Sequence, residues 1–295
     1  MAEPVTFSER PPLESPVLVV ALEGWIDAGG GAALAAKAVS TAINAHTIAT
    51  FDTDTFIDYR ARRPVMHLRD GVNTGLQWPS IDLASGRTGD GIDVLLLTGA
   101  EPDSAWRLFV DTVAGVATEF AIRTMVGLGA YPFAAPHTRP ARLSVTCSTE
   151  DLAVSLPYLR SSLDVPAGAA AALEERLGTN GVPVVGLWAQ VPHYASAMPY
   201  PAAAAALLDG LGQAAGVRVD PSELTRQGAD QAKRLDELVS GSEEHMAMLR
   251  QLEAAWDADA TSGAGPRLGT ALGPLPTGDE LAAELERFLR DQGGT

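Results

Sequence analysis

Residues 17–31 read VLVVAL, then EGWIDAGGG, and run directly into AALAAKAVSTAINA at 32–45. Six consecutive apolar residues, several of them β-branched, suit a strand buried on both faces of a parallel sheet. The glycines allow a sharp turn, and Leu34, Ala38, Ala42 and Ala45 follow at helical spacing. A strand, a tight turn and a helix in this order predict an α/β fold. They place Glu23, Trp25 and Asp27 at the carboxyl end of the strand, the edge where open α/β sheets gather their ligands and functional loops.

Outward from this unit the same pattern recurs. Residues 93–98 (DVLLLT) form a second buried strand, ending in a turn at Gly99-Ala100-Glu101-Pro102. Asp103 or Ser104 is expected to cap a helix whose stripe is Trp106, Phe109, Val110, Val113, Val116 and Phe120. Further strands are expected at 47–51, 124–130, 143–147 and 182–189, with helices at 150–160 and 167–177 and a helix opened by Pro201. Residues 52–85 show no clean period and several aromatics. They read as a long excursion or a short hairpin, laid over the sheet edge or built into an interface.

Composition changes after Gly216. Residues 222–240 and 242–258 predict two charged helices joined around Gly241, with narrow apolar stripes (Leu224, Leu235, Leu238, Val239; Met248, Leu249, Leu252, Trp256) and a solvated acidic face. Residues 259–276 are Gly/Pro/Ala-rich and read as a linker. Thr277 with Glu280 forms a capping box for a last helix with a docking stripe of Leu281, Leu285, Phe288 and Leu289. The expected organisation is therefore a core domain over 1–216, a helical hairpin over 217–258, a linker over 259–276 and a C-terminal helix over 277–295 that docks back on the core.

The chain has 295 residues, 46% hydrophobic and 20% charged, enough for a sizeable core. With 21 Lys+Arg against 37 Asp+Glu the net charge is −16, which argues against nucleic acid or an anionic membrane as partner. A single cysteine, Cys147, excludes an intramolecular disulfide and a cysteine-based metal cluster. The first residues lack the basic and apolar regions of a signal peptide, and no apolar run is long enough to span a bilayer. A cytoplasmic protein is the expectation.

Candidate chemistry collects at the strand ends. Gly24 and Gly29 have P-loop spacing, but Gly30 and Gly31 stand where Lys and Ser/Thr are required, and Glu23 and Asp27 would repel a phosphate. Two Pro-His pairs follow core strands: Pro136-His137-Thr138-Arg139-Pro140 and Pro192-His193-Tyr194. Glu23, Trp25, Asp27, Glu101, His137, Arg139, His193 and Tyr194 are thus the candidate pocket residues. They could form a general acid/base pocket with an anion-binding arginine. The competing reading is a salt-bridged loop cluster that stiffens an interaction surface. The pocket reading requires Asp27, Arg139 and His193 to converge on one cleft. No metal-ligand motif, nucleotide loop or nucleophile elbow is present, so neither cofactor nor metal is expected.

Taken together, ALEGWIDAGG (21–30), LLLTGAEPD (95–103), PHTRP (136–140), GLWAQVPHY (186–194) with the following Tyr200-Pro201, and ERFLRDQ (286–292) resemble the proteasome assembly chaperone 2 family, more narrowly its actinobacterial branch. The resemblance covers nearly the whole chain in order. It implies a three-layer α/β/α sandwich with a mostly parallel sheet, similar to purine nucleoside phosphorylases, plus a C-terminal helical extension. It also implies a non-enzymatic homo-oligomer, a trimer being the guess, whose relatives bind proteasome subunits. Relatives often end in a hydrophobic-Tyr-any tripeptide, whereas this sequence ends Gly293-Gly294-Thr295, so an aromatic tail anchor is not expected. The alternative is an enzyme or small-ligand binder, for a nucleoside- or phosphate-type ligand, by analogy with the phosphorylase-like fold.

Overall fold

The computed structural model describes residues 3–24 and 26–262. A short edge strand, β1 (Val5–Phe7), precedes β2 (Val17–Glu23), which passes through a single 3₁₀ turn into α1 (Gly31–Ala42). Next come β3 (His46–Phe51), the one-turn helix α2 (Thr53–Phe56), the paired strands β4 (Val65–Arg69) and β5 (Val72–Gln77), and β6 (Ile81–Arg87). The chain continues through β7 (Asp93–Ala100), α3 (Trp106–Glu119), β8 (Thr124–Phe133), β9 (Leu143–Cys147), α4 (Glu150–Ser155), α5 (Ala169–Thr179), β10 (Val184–Pro192) and α6 (Pro201–Ala215). Two long helices follow, α7 (Ser222–Ser240) and α8 (Glu243–Ser262).

Eight strands form one sheet in the order β1-β3-β6-β7-β2-β8-β10-β9. The central four, β7, β2, β8 and β10, are parallel, and the outer strands are antiparallel to their neighbours. Along β2, Val17, Val19 and Ala21 enter one core with α1 and α6, while Leu18 and Val20 enter the other with α3 and α5. That is the physical content of an unbroken apolar strand: alternate side chains point to opposite faces, and helices cover both. The three-layer α/β/α architecture expected from the sequence is present.

Several local expectations are corrected. Residues 52–85 contain not only a hairpin but also β6, which enters the main sheet between β3 and β7. Its sequence, IDLASGR, buries only Ile81, Leu83 and Ser85 in alternation, a signal that two small residues and a glycine weaken. Neither Asp103 nor Ser104 caps α3. Ala105 precedes it with φ 52°, Asp103 is taken by Arg62 at 3.0 Å, and the Ser104 hydroxyl donates to the Thr55 carbonyl. The buried face of α1 is Ala32, Ala35, Ala36 and Val39, whereas Leu34 is partly buried and Ala42 exposed. In an alanine-rich helix every face is apolar, so spacing alone cannot choose the one that packs on α6. Finally, α8 runs on to Ser262, past the expected start of a linker.

The hairpin β4–β5 pairs outside the main sheet. Its two-residue turn, Asp70-Gly71, has positive φ at both positions, and Asp-Gly is the common sequence for that turn.

Candidate functional site

Because β2, β7, β8 and β10 are parallel, their carboxyl ends share one edge, and the expected site residues follow them there. What each side chain does on that edge differs from one to the next.

The Asp27 carboxylate turns back onto the helix it precedes. It accepts hydrogen bonds from the amides of Ala32 at 2.7 Å and Ala33 at 3.0 Å. An anion thus occupies the amino end of α1, the place where a phosphate would sit in a nucleotide-binding turn. Glu101 does the same for α5, accepting from the Ala169 amide at 2.5 Å while itself buried. The Glu23 side chain is exposed, and its carbonyl accepts from the Glu101 amide at 2.6 Å and from Arg62. Trp25 lies outside the described residues.

Burial holds the Asp27 carboxyl above its usual range, against the opposing pull of the α1 amides. A folded pKa above the unfolded value of 3.8 means that the native state binds this proton more tightly. Its stabilising contribution is complete below that value and declines as pH rises through the folded pKa. The stability lost in Asp27→Ala is therefore expected to be larger near pH 3.8 than at pH 7. Urea denaturation of both proteins at the two pH values measures this, and a loss that grows with pH would contradict it.

His137 and Tyr194 are brought together. The Tyr194 hydroxyl lies 2.7 Å from His137 Nδ1 and accepts from the His137 amide at 2.9 Å, while His137 Nε2 meets Asp236 Oδ1 of α7 at 3.0 Å. A carboxylate can only accept, so Nε2 carries the proton and Nδ1 accepts from the tyrosine. Each polar atom of the imidazole has one partner, and the ring side chain is fully buried. Burial first, then the Asp236 and Glu253 charges, push the Tyr194 hydroxyl up to about 12, against the His137 amide.

The rest of the PHTRP loop grips α8. Thr138 donates to Glu253 at 2.6 Å, and Arg139 makes a two-pronged pair with Asp257 (3.0 and 2.8 Å) and a further contact with Glu253 at 3.2 Å. Arg142 lies 3.6 Å over the Trp256 ring and donates to its carbonyl, and Trp256 packs on Phe133 and Ala135. The loop is therefore a latch: His137 holds α7, and Thr138, Arg139 and Arg142 hold α8. His193, adjacent in sequence to Tyr194, is exposed, its ring 5.3 Å from the Tyr194 ring.

The structure does not bring Asp27, Arg139 and His193 into one cleft. The first caps a helix, the second is paired to α8, and the third faces solvent. Sequence reasoning missed the other half of the latch, because Asp236, Glu253 and Asp257 read there as a solvated acidic face. The available signal was the spacing of Glu253 and Asp257, one helical turn apart and flanking Trp256. Among the described residues no three His, Cys, Asp or Glu side chains gather as metal ligands, and no helix is long and apolar enough to cross a membrane.

The fold and its edge define a class: an α/β/α sandwich whose strand-end polar groups hold its own helices, with a helical hairpin latched to the core. The chain belongs to the PAC2 family, whose model matches residues 21–239. A Mycobacterium tuberculosis protein of unknown function is 34% identical, with 88% of this chain and 91% of that one aligned and a TM-score of 0.81. A Mycobacterium tuberculosis proteasome-assembly chaperone homologue is 32% identical (79% and 99% aligned, TM-score 0.74), and a PAC2 family protein from Streptomyces avermitilis 33% identical (79% and 99%, TM-score 0.72). No curated protein matches the chain.

Proposed function

We propose that this protein is a homo-oligomeric, protein-binding member of the assembly-chaperone type, acting in the cytoplasm with proteasome subunits as its clients. The observation that carries the reading is its 32% identity to a proteasome-assembly chaperone homologue, nearly all of which it spans. The geometry agrees with it, because Asp27 and Glu101 cap helices and His137, Arg139 and Tyr194 belong to the latch.

The self-association surface is the β4–β5 arm. Val65, Met66, Leu68, Val72, Leu76 and the adjoining Trp78 are all exposed, Val72 at 62% and Trp78 at 52%. An apolar patch of this kind on a two-stranded hairpin, which is at best marginally stable alone, calls for a partner surface. Arg60, Arg63, His67 and Arg69 make the same segment basic within a chain of net charge −16, so a second copy offers charge complementarity.

Light scattering of the purified protein, with a pull-down from its own lysate, tests both parts. Wild type is expected at a multiple of 30.7 kDa. Met66→Asp with Leu76→Asp, on directly paired positions, is expected to give the single-chain mass with the secondary structure of the core retained by circular dichroism. A wild-type monomer would overturn self-association, and an oligomer that brings down no proteasome subunit would overturn the client.

A further inference from the structure

One helical layer stops short of the sheet edge. On the α3 side of the sheet, β6 and β3 bury Ile81, Leu83, Ile48 and Phe51. Their opposite face lies open beside α1, with Asp82 and Ala84 half-buried and Thr47 exposed. A trough of about 320 Å³ follows this gap, walled by α1 from Ala32 to Ser40 and by the bare sheet, with Glu23 at its strand-end mouth. We propose that the trough seats the β4–β5 arm of a second copy of this chain.

Shape and charge both favour this occupant. Val65 and Met66 are consecutive in β4, so they point to opposite faces of the ribbon, and both are exposed. Neither face is therefore covered by the described residues of the arm's own chain. A second arm laid against the first would cover one face, whereas a trough with two walls covers both. The lengths agree: α1 from Ala32 to Ser40 is about 12 Å, and β4 spans about 17 Å. Glu23 and Asp82 line the trough without an ion-pair partner among the described residues. Asp82 accepts from the hydroxyls of Thr50 and Ser80, at 2.9 and 2.6 Å. Arg63 and Arg69 of the arm are exposed, and opposite charges bring the two surfaces together. The signs invert further in, where Asp70 forms the tip of the arm and Lys37 stands along α1. Arg62 donates to the Glu23 carbonyl at 3.3 Å, so the root of the arm and the mouth of the trough share one edge of the molecule. The contact is heterologous: the arm of one copy meets a different surface on the next.

The proposal rests on the self-association reading, and light scattering separates the two. Ala33 and Asp82 stand on opposite walls of the trough. Ala33→Arg with Asp82→Arg fills it, repels the arginines of the entering arm and leaves the variant's own arm intact. Met66→Asp with Leu76→Asp disables the arm and leaves the trough. Each variant alone is expected at the single-chain mass of 30.7 kDa, and an equimolar mixture at twice that mass. The arm of the first then enters the trough of the second, which also shows that both are folded. A trough variant that keeps the wild-type mass would overturn the seat alone, since arm-to-arm pairing then holds the oligomer. So would two single-chain variants whose mixture forms no complex. A monomeric wild type would overturn the seat together with self-association itself.

Discussion

His137→Ala is expected to destabilise the protein by about 2–4 kcal/mol and to loosen α7 and α8 before the sheet. The imidazole is fully buried and bridges Tyr194 to Asp236, with 2.7 Å and 3.0 Å contacts on its two nitrogens. Truncation leaves a cavity, removes the acceptor for the tyrosine hydroxyl and severs the tie to Asp236 of α7. The Tyr194 hydroxyl still accepts from the residue 137 amide, so the loop backbone is retained. Urea denaturation gives the magnitude, and amide exchange gives the order of opening. Faster exchange confined to α7 and α8 is the expected pattern. A loss below about 0.5 kcal/mol would show that the buried ring and its two hydrogen bonds contribute little to holding α7. Asp236→Asn separates the two halves of the relay, because it can keep an acceptor for Nε2 while removing the charge.

Gly29→Ala is the second large effect, expected at about 3 kcal/mol or more. Gly29 has φ 63°, and a Cβ there would stand 2.5 Å from Tyr200 Cβ and 3.2 Å from both the Met198 carbonyl and the Tyr200 amide. The two segments are also stitched by backbone bonds, Gly29 to the Ser196 carbonyl at 2.7 Å and Tyr200 to the Gly29 carbonyl at 2.8 Å. Any movement that relieves the clash breaks that pairing. Gly30→Ala provides the control: it has φ 59° but no atom within 4 Å of a new Cβ. It carries only the left-handed backbone penalty of about 1–2 kcal/mol. Equal losses for the two variants, measured by chemical denaturation, would remove the packing argument and leave conformation alone.

These variants fall in the two stretches that drew attention as possible chemistry, the glycine turn and the PHTRP loop, and in both the expected loss is structural. The glycines let the turn lie against the 196–200 segment, with Asp27 closing the helix end. The histidine is a buried tie between the core and a helix nearly a hundred residues further on.

How much of this could be read without coordinates depended on the range of the interaction. The buried strands were legible because a strand covered on both faces must be apolar at every position, as at 17–22 and 93–98. The final pair of described helices was legible from composition, and the shared strand edge followed from the parallel order. The strand at 81–87 was not, because only alternate positions are buried and two of the remainder are small. The packing face of α1 was not, because alanine is apolar in every direction. The roles of His137 and Arg139 were not, since a histidine or arginine in a loop is equally suited to a ligand and to a carboxylate. The sequence by itself determined the layered α/β class, the strand edge and the family resemblance, all of which rest on local periodicity and ordered motifs. Only the tertiary structure decided that the strand-end acids cap helices and that the basic loop meets Asp236, Glu253 and Asp257, because those partners are distant in the chain and nothing local specifies them.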